Sequence, residues 1–148
     1  MSLTPMVDAK FTLRTAQEGD IAEMHRVRLA VRENRLTSSV ISAEDYRREI
    51  TETGKGWVIV KDAQVVGFAV ANRQTASIWA LFIAPGFEGC GLGRQLLAVM
   101  VDWLWQQGAQ RVSLTTEPNT RAAAFYTAAG WRNQGLQENG DCLFSLLR

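Results

Sequence analysis

Apolar positions along the chain recur with two periods, and these divide it into strands and helices. Residues 11–15, Phe-Thr-Leu-Arg-Thr, alternate apolar with polar, the period of a strand with one buried face. Asp20 can cap a helix, and Ile21, Met24, Val27, Arg28 and Val31 then fall at helical spacing, which predicts a helix to about Asn34. A loop over 36–42 leads to a short helix capped by Ser42, with Glu44, Asp45 and Glu49 around Tyr46. Gly54 and Gly56 punctuate. Residues 57–61 and 65–72 then form a hairpin about Asp62-Ala63-Gln64. A further strand covers 76–83. Leu92, Leu96, Met100 and Leu104, widened by Leu97, Val101 and Trp105, mark one face of a helix over 92–107 that Gly108 ends. A strand over 111–116, a helix over 119–129 ended by Gly130, and two short strands from Trp131 onward complete the chain. Residues 1–9 lack any such pattern and are expected to be a flexible lead-in; 10–148 form a single domain. This order of elements specifies an α/β (α+β) fold around a mixed sheet.

Composition narrows the partners. A chain of 148 residues buries ~68–70% of its unfolded surface, enough for one core. Its net charge of +1 argues against a nucleic-acid or membrane-surface partner, since either normally requires a basic excess. The two cysteines, Cys90 and Cys142, have neither metal-ligand spacing nor a disulfide-rich context, so no metal site is expected. No apolar run approaches ~18 residues and no signal-peptide core precedes the domain, which makes a cytoplasmic location the expectation.

Chemistry concentrates in residues 81–94. Leu81-Phe82-Ile83-Ala84 meets Pro85, then a turn, then Gly89-Cys90-Gly91-Leu92-Gly93-Arg94 opening the long helix. The first N–H groups of a helix have no intrahelical partner and sit at the positive end of its dipole. Glycines let a phosphate approach them without meeting a Cβ. A cation in the first turn opposes the dipole, so Arg94 makes sense beside an anionic ligand. The loop therefore predicts a phosphate-bearing cofactor. A Walker loop needs Lys followed by Ser or Thr after its last glycine, and Leu92-Gly93-Arg94 supplies neither. A dinucleotide fingerprint stays open on spacing, with Glu117 imitating its acidic residue. Arg94, however, occupies the third glycine position, and only one clear strand–helix unit is present.

Taken with Asn119 and the stretch from Phe125-Tyr126 to Gly130-Trp131, the run Leu81-Phe82-Ile83-Ala84-Pro85 and the loop Gly89-Cys90-Gly91-Leu92-Gly93 resemble the GNAT N-acetyltransferase superfamily. The resemblance covers essentially the whole domain. It implies a central, mostly antiparallel sheet flanked by helices, with two middle strands splayed in a V around acetyl-CoA, the co-substrate. It also implies direct transfer of acetyl to an amine. Carried over residue by residue, it sets the backbones of Leu81, Phe82 and Ile83 along the pantetheine arm. Gly89, Cys90, Gly91, Leu92, Gly93 and Arg94 cradle the pyrophosphate, and Asn119 holds the pantetheine from the opposite side. Tyr126 is the implied general acid, with an oxyanion-binding N–H near Leu81 or Phe82.

Two positions depart from the family pattern. Glu88 stands where the family usually has Arg or Gln. Leu114 stands near the position of a glutamate base in some relatives, which leaves Glu117, Glu33 or a water relay for that task. The loop between the first two helices shapes the acceptor site in this family, so Glu33, Arg35 and Tyr46, with Trp79 on the strand, are the acceptor candidates. The reading is an enzyme that acetylates a primary amine of a small molecule. The alternatives are a protein N-terminal or lysine acetyltransferase, or a non-catalytic CoA-binding regulator. Residues without such support read as structural: His25 in mid-helix, Trp57, Trp103 and Trp105 as packing aromatics. Phe125 and Tyr126 lie about 100° apart on their helix, so one can pack while the other faces the cofactor. The apolar run 142–147 reads as an edge strand in need of cover, which predicts a homodimer.

Overall fold

The computed structural model describes residues 11–31 and 41–148. Glu33, Arg35 and the expected lead-in lie outside the described residues. In chain order the elements are β1 (Thr12–Thr15), a 3-10 turn (Glu18–Asp20), α1 (Ile21–Ala30), α2 (Ala43–Thr51), β2 (Gly54–Lys61), β3 (Gln64–Asn72) and β4 (Ser77–Ile83). Then follow α3 (Leu92–Gln106), β5 (Arg111–Thr116), α4 (Arg121–Ala128), β6 (Arg132–Leu136) and β7 (Cys142–Leu147).

The strands read as nearly continuous apolar runs because both faces of the sheet are covered. Successive side chains of a strand point to opposite faces. Along β2, Trp57 and Ile59 enter one core with Leu92, Leu96, Met100 and Leu104 of α3, while Val58 enters the other with Met24 and Val27 of α1 and Ile50 of α2. Along β3, small Ala69 and Ala71 face α3, and Phe68 and Val70 face α1 and α2. Each fully buried Leu, Val, Phe or Met contributes about 1.5–3 kcal/mol.

The seven strands run in the order β1-β2-β3-β4-β5-β7-β6. Every neighbouring pair is antiparallel except β4 and β5, which run parallel. Their only registered pair is Ser77 with Ser113, beside a hydrogen bond from the Ser113 N–H to the Ala76 carbonyl at 3.0 Å. Past that point the two strands splay apart.

Three sequence expectations change. Asp20 does not cap α1. It sits inside the 3-10 turn, where its carboxylate accepts the Gln17 N–H at 2.8 Å and pairs with Arg14 at 2.8 Å. α1 ends at Ala30, four residues before Asn34; the apolar stripe closes with Val31, which is β-branched and already extended. The apolar terminal strand β7 is not an edge either. It is hydrogen-bonded to β5 on one side and β6 on the other, so its cover comes from within the chain. Among the described residues no helix is long and apolar enough to cross a membrane.

β2 starts at Gly54 rather than Trp57, through a glycine that looked like punctuation. A Cβ there would overlap the Ala71 carbonyl oxygen and stand 2.8 Å from that of Glu49. β3 and the end of α2 close on this backbone because it has no side chain. Overpacking typically costs ~1–3 kcal/mol, and both obstacles here are backbone atoms. Gly54→Ala should therefore destabilise the fold by about 3 kcal/mol in urea unfolding; a loss under about 0.5 kcal/mol would contradict this close approach.

Candidate active site

Splaying β4 from β5 leaves one edge of β4 without a strand partner among the described residues. The Ala84 N–H donates to the Val66 carbonyl at 2.8 Å, and Phe82 lies opposite Phe68 in the same register. Backbone groups alternate sides along a strand. The N–H and C=O of Phe82 therefore turn toward β3, and those of Leu81 and Ile83 turn toward the gap. A chain laid in the gap can pair with them as an added strand would.

At the end of β4 the chain enters the glycine loop. Gly89 and Gly91 have φ of 77° and 81°, and Gly91 is the N-cap of α3. No side chain caps this terminus, and no acidic residue occupies its first turn. A Cβ on either glycine would meet nothing within 4 Å, so these glycines serve the backbone conformation and leave open space in front of it. Gly93 differs. A Cβ there would sit in ordinary contact, 3.4 Å from the Phe125 ring of α4, which leaves no room for a side chain beyond it. Leu92, 2% exposed, is a core residue, and only its backbone belongs to the loop. Exposed Cys90 has its thiol 3.8 Å from the Glu88 carbonyl and does not line the cleft.

Glu88 folds back on its own loop. Backbone N–H groups, its own and that of Gly86 at 2.8 Å, hold its carboxyl below the usual carboxylate range; Arg121, 3.3 Å away on α4, acts in the same direction. Its charge is thereby tied to the loop backbone and to α4.

Two cavities flank the β4–β5 gap. The larger, about 480 Å³, runs between Leu81, Phe82 and Ile83 on one wall, Gly89, Gly91, Gly93 and Arg94 at the end, and Ala122, Phe125 and Tyr126 of α4 opposite. It fits a long anionic cofactor: an apolar channel with a free strand edge, ending at an uncapped helix N-terminus beside a cation. The smaller, about 240 Å³, is lined by Arg28, Trp79, Thr115, Thr116, Glu117 and Asp141 among others. The two share Leu81, Phe82, Ala122 and Tyr126.

Tyr126 thus stands where the cavities meet. Its ring is wedged against Phe125 at 5.1 Å, Trp131 at 5.5 Å and Phe144 at 6.0 Å, and it is 5% exposed. Burial pushes its hydroxyl well above the usual tyrosine range, which keeps it protonated. Phe125 and Tyr126 both pack, and both also face the cofactor cavity. Glu117 and Trp79 line the smaller cavity. Asn119 lines neither; it is exposed, with φ of 60°, one residue before Thr120, whose hydroxyl caps α4.

Tyr46 is not on the wall of the smaller cavity. It is fully buried behind Trp79, edge-on at 5.3 Å, with its hydroxyl 2.9 Å from His25 Nδ1. Burial raises its hydroxyl, and the Arg28 guanidinium beside it opposes that rise. His25 has a structural partner in this contact. Among the described residues, no group of three or more His, Cys, Asp and Glu side chains could hold a metal ion. Arg28 is the site residue that the hydrophobic pattern concealed. It occupies a position on the apolar stripe of α1, is 8% exposed, and lies over the rings of Phe82 at 4.9 Å and Trp79 at 5.0 Å. An arginine among Met24, Val27 and Val31 was the available signal.

Known proteins resemble this chain in sequence and in fold. A peptidyl-lysine N-acetyltransferase of Escherichia coli, YjaB, is 32% identical over 113 residues, 71% of this chain and 72% of that protein. A ribosomal-protein alanine N-acetyltransferase of Haemophilus influenzae is 25% identical over 83 residues, 55% of this chain. That match spans only 57% of the Haemophilus protein's length. The fold superposes on a putative GNAT acetyltransferase of Desulfovibrio desulfuricans with a TM-score of 0.77 at 20% identity, covering 93% of this chain and 98% of the other. It also superposes on the PaiA N-acetyltransferase of Thermoplasma acidophilum, solved in complex with coenzyme A, with a TM-score of 0.73 at 13% identity, covering 93% and 99%. The family model of the acetyltransferase (GNAT) family matches residues 20–131, and the chain belongs to that family.

Proposed function

We propose that the protein transfers acetyl from acetyl-CoA to the primary amine of a small molecule. The observation that carries this reading is the pair of cavities, one suited to the cofactor and one to an acceptor, joined at Tyr126. The volume of the smaller, about 240 Å³, favours a small acceptor. A protein amine is the second reading, favoured by the Escherichia and Haemophilus relatives, whose names specify peptidyl-lysine and ribosomal-protein alanine acceptors.

Acetyl-CoA supplies an activated acetyl thioester. The chain's own residues do the rest. Leu81 and Ile83 offer backbone groups in the gap, and the Leu81 N–H is the donor available to oxygen charge developing at the reacting carbonyl. The uncapped start of α3, with Arg94, binds the pyrophosphate. Glu117, on the acceptor cavity, takes the proton that the attacking amine sheds as its nitrogen bonds to the acetyl carbon. Tyr126 gives its hydroxyl proton to the sulfur as the carbon–sulfur bond breaks. A tyrosine raised by burial is a weak acid, but the same dry surroundings make the thiolate a stronger base.

Thiol release from acetyl-CoA across a panel of small amines and a panel of peptides, with CoA binding measured in parallel, tests the reading. Release with small amines supports it. Release with peptides alone selects the protein acceptor, and binding without release selects a non-catalytic CoA-binding role.

Gly91→Val should abolish CoA binding in titration calorimetry in a protein that still folds by circular dichroism, since valine both strains the loop at φ 81° and fills the open space in front of the α3 N-terminus. Unchanged affinity would remove the loop from the cofactor site.

Tyr126→Phe should lower kcat by ~10²–10⁴-fold and leave acetyl-CoA affinity within about twofold, because only the hydroxyl is lost. Turnover within twofold of the parent, with chemistry rate-limiting, would make Tyr126 structural. The same variant has a signature in stability. The folded hydroxyl titrates above the unfolded value of about 10, so the parent loses stability as pH rises past about 10, where only the unfolded chain ionises. Tyr126→Phe should lessen that alkaline loss in urea midpoints measured between pH 9 and 11.

A further inference from the structure

The smaller cavity carries an asymmetry of charge that acetyl transfer alone does not require. On the β4 side, α1 delivers the Arg28 guanidinium over the rings of Trp79 and Phe82, all three residues lining the cavity. Glu117 follows the end of β5, and Asp141 sits in the turn between β6 and β7; both line the same cavity. In the sheet order, β4 stands on one side of the gap, and β5 and β7 stand on the other. A buried cation therefore belongs to one wall and two carboxylates to the other.

We propose that the acceptor is a small free α-amino acid whose carboxylate pairs with Arg28 while its amino group faces Glu117 and Asp141. This proposal rests on the acetyl-transfer reading and sharpens its substrate. A guanidinium lying over aromatic rings keeps its N–H donors in the plane around its rim, the arrangement that accepts a carboxylate with two parallel hydrogen bonds. Lysine could not supply that fork. Beyond the charged groups, Ile78, Leu81 and Leu114 on one hand and Thr115 and Thr116 on the other give a mixed lining that suits a short side chain. A polyamine would bring a second ammonium toward Arg28, against like charge. A peptide N-terminus has the amino group but replaces the carboxylate with an amide, which has no charge for the guanidinium to meet. The carboxylates opposite attract the ammonium form on entry; it loses its first proton to solvent, and Glu117 takes the second as the nitrogen bonds to the acetyl carbon.

The test compares L-alanine, L-leucine and L-methionine with their carboxamides, with tripeptides beginning in alanine, and with putrescine. Rates are compared at equal concentrations of unprotonated amine. The free acids should exceed the carboxamides by about 30-fold or more in kcat/KM, the factor that a charge-assisted hydrogen-bond pair supports. Arg28→Gln should bring the acid-to-amide ratio close to one. Titration of the CoA-bound parent should show binding of L-leucine and none of L-leucinamide in the same range. Carboxamides, peptides or putrescine turned over as well as the free acids would overturn the proposal and leave acetyl transfer standing. So would an acid preference that survives Arg28→Gln. No thiol release with any amine, in a protein that binds CoA, would remove the acetyl-transfer reading and the amino acid with it. If Arg28→Gln fails to fold by circular dichroism, the parent's acid-to-amide ratio and Arg28→Lys, which keeps charge but loses the fork, decide the matter.

Discussion

β4 and β5 run parallel, meet at Ser77 and Ser113, and separate. An unpartnered strand edge inside a sheet is costly when buried dry, because each N–H and C=O there needs a partner. Here the edge instead faces a cavity of about 480 Å³, where solvent or a bound chain can satisfy it. The antiparallel pairings β1-β2-β3-β4 and β5-β7-β6 are regular apart from bulges, and the break falls between these two blocks. Two sub-sheets joined at one point, rather than one continuous sheet, are what the remaining packing has to hold at a fixed separation.

That separation is maintained from both faces. On one, α3 and α4 bridge the sub-sheets: Leu92, Leu96 and Met100 share a core with Ile59 of β2 and with Val112 and Phe144 of β5 and β7. Tyr126, with its ring held by Trp131 and Phe144, belongs to this scaffold and also to the site. On the other face, α1 and α2 cover β2, β3 and β4 with a core of Met24, Tyr46, Val58 and Phe68. There the His25–Tyr46 contact and the Tyr46–Trp79 edge support the cavity wall from behind. Chemistry and stability thus draw on the same side chains, so changes at either ring are felt in both.

What the sequence disclosed follows from the range of each signal. The glycine loop, the long helix and the order of strands are local patterns, and they are found where periodicity and turn chemistry placed them. Glu117 and Trp79 both line the smaller cavity, because Trp79 lies in β4 and Glu117 directly follows β5, the two strands that border the gap. Position in three dimensions was harder to read. The apolar run of β7 belongs to an interior strand because the chain returns between β5 and β6, which no local pattern records. Gly54 lies inside a strand because of how near Ala71 and Glu49 come to it, a fact about distant residues. Tyr46 turned inward, since α2 needed a large buried ring opposite Phe68, and Arg28 passed as one position on a helical stripe. Asp20 had the chemistry of a cap but found Arg14 and the Gln17 N–H first.

The contact between Gly93 and Phe125 carries one more consequence. α3 and α4 touch where a single hydrogen takes the place of a side chain, at 3.4 Å from an imagined Cβ. An alanine there would just touch the ring, and any residue larger than alanine would act as a shim driven between the two helices. It would move α4 outward with Tyr126 on its next position, while the loop in front of Gly91 kept its own shape. The width of the cleft is gauged by an atom that is absent, and the reach of the phenol into the gap is set at the far end of the cofactor channel.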